Sequence, residues 1–400
     1  MEPFDFNLRH LRALALMAQL GSVKAAAEAV SLTQPALTLG LAKLERQLGC
    51  RLFDRRPDGV VATPKGLIMA SRAAAAFDQL GRGARDAFKG RSRLFARPEN
   101  LMTSAQLRAF LALADHGSFA QAAGATGLSQ PTVHRAVRDF EQVGGVTLAK
   151  RRGRTVQLTS AGRHMARGVR LAAAEIAAGI ADLGEGAGTG LSRIVVGSMP
   201  LARARVLPGA IAAFQREPTR ATLTVVEGAW RDLIDPLIDG ILDMVVGALR
   251  DEVPQGLEQR PLFQDVLVVV ARAGHPLLGT RPTLEELARY EWVVGQVGTP
   301  LRIQWEAMFN GRPLPIAPIE CGSTLVIRAV LADSDLLTLL SPDQVAVEMG
   351  AGILTSIGDP VGHTVRTVGL TTRSGWRPTA GQAAFVRLLQ AAGDHKLQQI

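Results

Sequence analysis

The chain has 400 residues, of which 47% are hydrophobic, and it carries a net charge of +9 and two cysteines. The length predicts two to four domains, because one hydrophobic core seldom serves more than about 250–300 residues. Two distant cysteines, an N-terminus unlike a signal peptide and no apolar run of about 20 residues argue against a disulfide-rich secreted protein or a membrane protein. We therefore expect a cytoplasmic protein with no membrane contact.

The charge is unevenly distributed along the chain. Residues 1–170 contain 26 lysines and arginines against 12 acidic residues, whereas residues 171–400 contain 19 against 24. A concentrated positive charge is typical of a surface that binds a polyanion. The sequence therefore favours double-stranded DNA as a partner of the N-terminal part.

The N-terminal part contains a repeat, since residues 11–70 align with 107–166 without a gap and with 22 identities in 60 positions. In each segment, capped short helices and a tight turn precede two short strands around a basic tip. This pattern predicts a winged helix-turn-helix. Thr63 and Thr159 then begin long alanine-rich helices that we expect to be stalks, at about 66–90 and 161–183.

The first segment reads "SLTQPALTLGLAKLE" at residues 31–45. Its helical period predicts that Leu37, Leu41 and Leu44 face the core. The candidate DNA contacts of this segment are Thr38, Lys43, Arg55 and Arg56. Three roles remain open for it: phosphate binding through Arg55, Arg56 and Lys65, recognition of a different site, or packing against another part of the protein. We favour the last two.

The second segment reads "GLSQPTVHRAVRDFE" at residues 127–141. Val133, Val137 and Phe140 share the predicted core face, so the polar residues between them point outward. Such a face is either an ordinary solvated helix surface or a reader of base edges in the DNA major groove. We interpret it as the reader, with candidate contacts Ser129, Gln130, Thr132, His134, Arg135 and Arg138. The basic tip should bind phosphates through Lys150, Arg151, Arg152 and Arg154.

After a glycine-rich hinge, β-branched runs such as "RIVVGS" and "LDMVVGAL" alternate with helical stretches. This alternation predicts an α/β domain with a mostly parallel sheet, large enough for two lobes. The fold expected for the chain is therefore multidomain, two α-helical winged helix-turn-helix modules plus an α/β effector domain. The predicted parts are a first module (1–65), a stalk helix and linker (66–100), a second module (101–160), a stalk helix and hinge (161–190) and a two-lobed domain (191–400).

Signatures of enzymes are missing from the sequence. We find no phosphate-binding loop, no HExxH or GxSxG motif and no paired CxxC, and the seven histidines lack metal-ligand spacing. We therefore predict no catalytic residue, no metal site and no cofactor.

The stretch "LRAFLALADHGSFAQAAGATGLSQPTVHRAVRDFE", followed by "RGRTVQLTSAG", resembles the DNA-binding module of LysR-type transcriptional regulators. The segments "RIVVGSMPLARARVLPGAIAAFQ" and "VGTPLRIQWEAMF" resemble that family's effector domain, which is similar to periplasmic binding proteins, and are closest to the galactose-binding-protein-regulator branch. The resemblance implies a small-molecule cleft between two lobes. Helix starts that face this cleft offer free N–H groups to an anion, so the implied effector contacts are Ser198, Arg203, Ala229, Trp230, Thr299 and Arg302.

The sequence also departs from the family pattern. Family members have one DNA-binding module, whereas this chain has two. The family's Ser-Arg pair is matched by His134 and Arg135 but replaced by Thr38 and Leu39 in the first segment. We expect a LysR-type regulator that binds DNA and a carboxylate or sugar-related effector and forms a homo-oligomer, with its stalks pairing within one chain. The alternative is a metabolite-binding assembly protein whose modules mediate subunit contacts.

Overall fold

The computed structural model describes residues 1–57, 59–89, 97–153, 155–185, 192–217 and 221–397. Its first segment contains three short helices, a two-stranded antiparallel wing and a long helix. Side chains of Ser22, Thr33 and Thr63 accept backbone N–H groups at helix starts, as the capping pattern predicts. These elements are α1 (Leu8–Leu20), α2 (Val23–Ala29), α3 (Gln34–Leu48), β1 (Phe53–Arg56), β2 (Gly59–Ala62) and α4 (Pro64–Ala87).

The second segment has the same order of elements. Gly117, Gly127 and Gly145 take left-handed conformations directly after helices, which glycine adopts at little cost. The elements are α5 (Ser104–His116), α6 (Phe119–Thr126), α7 (Gln130–Gly144), β3 (Ala149–Arg152), β4 (Thr155–Leu158) and α8 (Ser160–Glu185). Both predicted stalk helices are present as α4 and α8. The predicted hinge lies outside the described residues from residue 186 onward.

The two long helices α4 and α8 pack along each other within one chain. The two segments also exchange their leading turns. The 3-10 turn Pro3–Asp5 packs on α5 and α8, and the 3-10 turn Pro98–Asn100 packs on α4. Buried residues from both segments form one hydrophobic core, which extends from Phe4 to Leu183. The N-terminal part is therefore a single packed unit.

The C-terminal part is an α/β domain of two lobes with separate cores. The first lobe holds a five-stranded sheet in the order β6-β5-β7-β14-β8, and the second holds a three-stranded sheet, β12-β9-β13, and the pair β10-β11. The strands are β5 (Ser192–Ser198), β6 (Ala221–Glu227), β7 (Met244–Ala248), β8 (Leu257–Asp265), β9 (Val268–Arg272), β10 (Val293–Val294), β11 (Ile319–Glu320), β12 (Thr338–Leu340), β13 (Leu354–Ile357) and β14 (Arg366–Arg373). The helices are α9 (Val206–Phe214), α10 (Trp230–Ile238), α11 (Leu284–Leu287), α12 (Pro300–Met308), α13 (Thr324–Ala332), α14 (Ala346–Gly350) and α15 (Ala380–Leu397).

The prediction of a mostly parallel sheet holds only in part. In the first lobe β5, β6, β7 and β8 run in one direction and β14 runs against them, whereas the three-stranded sheet of the second lobe is antiparallel. The physical reason is that the chain crosses between the lobes twice. It leaves the first lobe after β8 and returns through β14, so these neighbours run in opposite directions. In the described ranges, no helix is both long enough and apolar enough to span a membrane.

Candidate functional site

Helix α7 divides into a buried and an exposed face. Val133, Val137 and Phe140 are 2% exposed or less, and the Phe140 ring lies edge-on to Phe110, with 5.2 Å between ring centroids. The predicted core face is thus confirmed. All the polar candidates of this helix and its cap are exposed, namely Ser129, Gln130, Thr132, His134, Arg135 and Arg138.

Several of these side chains already have partners. The Ser129 hydroxyl lies 2.7 Å from that of Thr132 and accepts the Thr132 N–H at 3.3 Å, so both belong to the helix cap. The His134 ring lies 5.1 Å from the ring of Phe119, and Arg138 lies 3.6 Å from the Glu141 carboxylate. Among the described residues, no hydrogen bond or ion pair engages the Arg135 guanidinium. Arg135 is therefore the cation of this face that is most available to a partner.

The wing of the second segment is an antiparallel hairpin of β3 and β4. Its predicted cations Lys150, Arg151 and Arg152 are exposed. Arg151 donates to the Gly153 carbonyl at 3.1 Å and Arg152 to the Gln157 side chain at 3.3 Å. These contacts hold the two arginines close to the hairpin tip, whereas Arg154 lies outside the described residues.

The outer face of α3 in the first segment is chemically different. The Thr38 hydroxyl donates to the Gln34 carbonyl at 2.9 Å, and Leu39 is 69% exposed. Lys43 is exposed on this helix, and the wing presents the predicted cations Arg55 and Arg56. The first segment therefore keeps positive charge but offers fewer free hydrogen-bonding groups at the start of its helix.

Gly40 lies inside a helix, where glycine is unfavourable, but it has a role in packing. A Cβ atom at this position would lie 2.5 Å from the ring of His10, so the ring occupies the space of a side chain. Burial lowers the pKa of His10, and the nearby charge of Lys43 lowers it further. The glycine therefore allows α1 and α3 to approach with an imidazole between them.

One aromatic position also separates the two segments. Phe53 in β1 is 8% exposed and belongs to the hydrophobic core. The matching residue of β3 is Ala149, which lines a cavity of about 370 Å³ together with Phe119, His134 and Arg151. The aromatic ring that Phe53 supplies in the first segment is thus absent beside this space.

The predicted effector residues of the first lobe lie at the carboxyl ends of β5 and β6. Ser198 is fully buried, and its hydroxyl has no hydrogen-bond partner in the described part of the chain. The Gly228 N–H donates to the Ser198 carbonyl at 3.2 Å, so Ala229 and Trp230, which start α10, lie near the same edge. The Arg250 guanidinium lies 5.7 Å from the centre of the Trp230 ring.

The predicted arginines of the effector site are already paired. Arg203 donates to the Glu227 carboxylate at 2.5 Å. In the second lobe Arg302 donates to Glu306 at 2.6 Å and Glu320 at 3.0 Å, and these bonds raise its pKa. Thr299 precedes α12, but its hydroxyl donates to the Gln296 carbonyl instead of capping the helix. The contacts of Thr299 and Arg302 therefore lie within the second lobe.

Comparison with known proteins identifies the family. Residues 187–394 match the LysR substrate binding domain, and residues 8–67 and 104–163 each match the helix-turn-helix of bacterial regulatory proteins of the lysR family. The chain belongs to the LysR family of transcriptional regulators. These regulators combine helix-turn-helix DNA binding with an effector-binding domain.

Individual LysR-type proteins support this assignment. The chain is 32% identical over 387 residues to the HTH-type transcriptional regulator GalR of Pseudomonas putida, covering 96% of each chain. It is 30% identical over 301 residues to PcaQ of Agrobacterium fabrum, covering 72% of this chain and 94% of PcaQ. A full-length OxyR variant from Pseudomonas aeruginosa shares the fold with a TM-score of 0.55 at 22% identity, over 72% of this chain and 98% of that one. ArgP from Mycobacterium tuberculosis gives 0.57 at 19%, over 72% and 96%.

A network of buried polar groups marks the hinge between the effector lobes of this LysR-type protein. Asp265 is 3% exposed; it accepts the Ser341 hydroxyl at 2.6 Å and two N–H groups of Arg366 at 2.9 and 3.1 Å. The Leu267 N–H donates to the Thr364 hydroxyl at 2.9 Å. These contacts join the two strands that cross between the lobes. Sequence reasoning missed them because the partners lie about a hundred residues apart, with no local signal.

A second network joins the stalks to the effector domain. Arg72 of α4 is buried and donates to two acids of α8, Asp182 at 2.9 Å and Glu175 at 3.2 Å. It also donates to the Arg377 carbonyl of the loop before α15, at 2.9 Å. The Arg377 guanidinium in turn donates to the Glu175 carboxylate at 2.7 Å. This network, which the sequence did not predict, connects the DNA-binding part to the effector part.

Proposed function

We propose that residues 1–65 and 101–160 are two copies of one winged helix-turn-helix module. Stalk segments 66–100 and 161–190 would connect them to an effector domain at 191–400. The family's helix-turn-helix model matches at two places 96 residues apart, which supports a tandem duplication. OxyR and ArgP cover 72% of this chain but 96% or more of their own lengths, so this chain is longer by roughly one module.

We further propose that one chain supplies a complete pair of modules. The packing of α4 on α8 within the chain supports this reading, as does the exchange of the leading turns Pro3–Asp5 and Pro98–Asn100. Two copies related in this way resemble the self-complementary interface of a symmetric dimer. A homo-oligomer of the chain would then carry four or more modules.

In this proposal the second module is the main reader of DNA. Arg135, which is exposed and has no partner among the described residues, would donate to guanine, and His134 would make a shorter base contact. Thr132 would add less because its hydroxyl is bonded to Ser129. Ser129, Gln130, Arg138 and the wing residues Lys150, Arg151, Arg152 and Arg154 would fix the register on phosphates. In the first module Lys43, Arg55 and Arg56 would contact phosphates, and Thr38 would add little because its hydroxyl is bonded to Gln34.

The effector would bind between the lobes of the C-terminal domain. The buried hydroxyl of Ser198, which no described residue contacts by a hydrogen bond, supports this site beside the start of α10 with Ala229 and Trp230. Thr299 would approach from the second lobe. Arg203 and Arg302 are paired with carboxylates, so they would stabilise the sides of the cleft and not bind the effector themselves. A carboxylate or sugar-related metabolite would suit the site. Its binding would favour one arrangement of the lobes about the Asp265 hinge.

The observation that carries the DNA-reading proposal is the exposed guanidinium of Arg135, which has no partner in the described part of the chain and lies on a helix whose other face is buried. We would footprint the protein on DNA flanking its own gene, comparing the wild type, Arg135→Ala, Lys43→Ala and the control Arg281→Ala. Arg281 is 85% exposed at its side chain and lies in the effector domain.

We expect Arg135→Ala to weaken specific binding by about 1–3 kcal/mol and to relax specificity at one base pair. Lys43→Ala should weaken binding to all sequences alike, and the slope of log affinity against log salt should become shallower by about one. A specific footprint that survives Arg135→Ala would contradict the assignment of the reader. If no DNA gave a salt-sensitive footprint, the metabolite-binding assembly protein would become the better reading.

A further inference from the structure

The exposed stripe of α3 carries an apolar residue, Leu39, at the position where α7 carries Arg135, the cation that no other described residue pairs with. Leu39 aligns with Arg135, and it is 69% exposed. The stripe continues at helical spacing through Lys43 and Arg46, both exposed. In α7 the corresponding residues are Arg135, Asp139 and Gln142. The positive charge of the first module thus lies one to two turns further along the helix.

An exposed leucine in the second turn of a helix that lies in the major groove would match one feature of that groove. The C5-methyl group of thymine is the apolar group that base pairs present there. The groups next to Leu39 offer no free hydrogen-bond donor, since the Thr38 hydroxyl donates its proton to the Gln34 carbonyl and Gly40 has no side chain. The start of this stripe therefore suits contact with a methyl group better than hydrogen bonds with base edges.

The surroundings of Leu39 favour DNA over a protein partner. Lys43 and Arg46 follow it on the same stripe, and Arg55 and Arg56 are exposed on the wing of the same module. Cations on the helix and the wing can bind phosphates on either side of the groove. An apolar site for another protein would not require this basic border.

We propose that Leu39 is a specificity-determining residue, which recognises thymine methyl groups in the half-site beneath the first module. One chain would then read an unequal pair of half-sites, with hydrogen bonds from Arg135 in one and a methyl contact from Leu39 in the other. This inference rests on the proposed DNA-binding function, and it assigns a chemistry to the module with fewer free polar groups.

The test compares thymine with deoxyuridine, which lacks only the C5-methyl group. A binding sequence is first selected from a random duplex library, and its thymines are then replaced by deoxyuridine one at a time. Affinities are measured for the wild type, Leu39→Ala and Arg135→Ala. The matched control is Leu20→Ala, because Leu20 is a 50% exposed leucine of the same module outside the reading helix.

We expect one or two replacements to weaken the wild type about fourfold each, the effect of one apolar carbon group. The same replacements should have no effect on Leu39→Ala, and they should keep their full effect on Arg135→Ala and Leu20→Ala. If deoxyuridine weakened the wild type and Leu39→Ala equally, the inference would be wrong. It would also be wrong if Leu39→Ala changed the oligomeric mass but not DNA affinity. Failure to select any sequence would overturn the proposed function itself.

Discussion

Gly83 of α4 and Gly168 of α8 meet backbone to backbone where the two stalk helices pack. A Cβ atom on either glycine would lie 2.8 Å from the Cα atom of the other. Such a distance requires the absence of both side chains, and it lets the helices approach closely. The close packing of α4 on α8 therefore depends on this contact within one chain.

We expect Gly83→Ala to destabilise the protein by about 1–3 kcal/mol. Alanine would improve helix propensity, but its methyl group would collide with the Gly168 backbone, and overpacking of this kind usually has the larger effect. The control is Gly209→Ala, since Gly209 lies in α9 with open space around it. It should gain up to about 1 kcal/mol. Urea unfolding gives the unfolding free energy of each variant. Equal values for Gly83→Ala and Gly209→Ala would contradict the close packing of α4 on α8.

The difference between Phe53 and Ala149 predicts opposite effects of two substitutions. Phe53→Ala removes a buried ring and should cost about 3 kcal/mol of unfolding free energy. Ala149→Phe should fill part of the 370 Å³ cavity and raise stability by about 1 kcal/mol. Thermal unfolding of both variants tests this pair. A loss of stability in Ala149→Phe would show that the cavity does not accept the ring.

The local features of the N-terminal part follow from its sequence. Cap residues such as Ser129 and glycines such as Gly117 occur where helices begin and end, and these signals act over a few residues. The same holds for the core face of α7, because its period depends only on helix geometry. The exposure of the predicted DNA contacts on α7 was therefore predictable as well.

Contacts between distant residues were not predictable in this way. Gly83 and Gly40 lower helix propensity locally, and only the packed structure shows that Gly168 and His10 occupy the vacated space. In the effector domain the β-branched runs locate strands but carry no information on direction. For the predicted cleft arginine Arg302, the i, i+4 spacing to Glu306 could have indicated one ion pair, whereas the pairing with Glu320, 18 residues away, had no local signal.

His10 should make stability depend on pH. Its pKa is lowered in the folded protein by burial and by Lys43, so the unfolded chain takes up its proton first as pH falls. Stability from this group is complete above the unfolded pKa of about 6.5 and declines below it. The variant His10→Gln carries the residue that stands at the matching position 106. Its unfolding free energy should fall less than that of the wild type between pH 7.5 and pH 5.5. His275, whose pKa burial also lowers, is present in both proteins and cancels.

The Arg72 network predicts a coupling between the DNA-binding part and the effector domain. Replacing Arg72 by methionine keeps the apolar stem but leaves Asp182 without its buried partner, which should cost about 3 kcal/mol. The variant also loses the bond to the Arg377 carbonyl, so backbone amides of residues 374–379 should exchange hydrogen faster.

The matched control for Arg72→Met is Arg281→Met, because Arg281 is 85% exposed and lies 3.8 Å from Asp359. An exposed ion pair of this kind contributes little, so neither its stability nor the exchange of residues 374–379 should change. Arg72→Met with normal exchange in that loop would mean that Arg72 stabilises only the stalk pair. Faster exchange there, together with normal exchange in the lobe hinge around Asp265, would identify Arg72 as the connection between stalks and effector domain. Because Arg377 also pairs with Glu175, Arg377→Met should produce the same change in the loop with a smaller loss of stability.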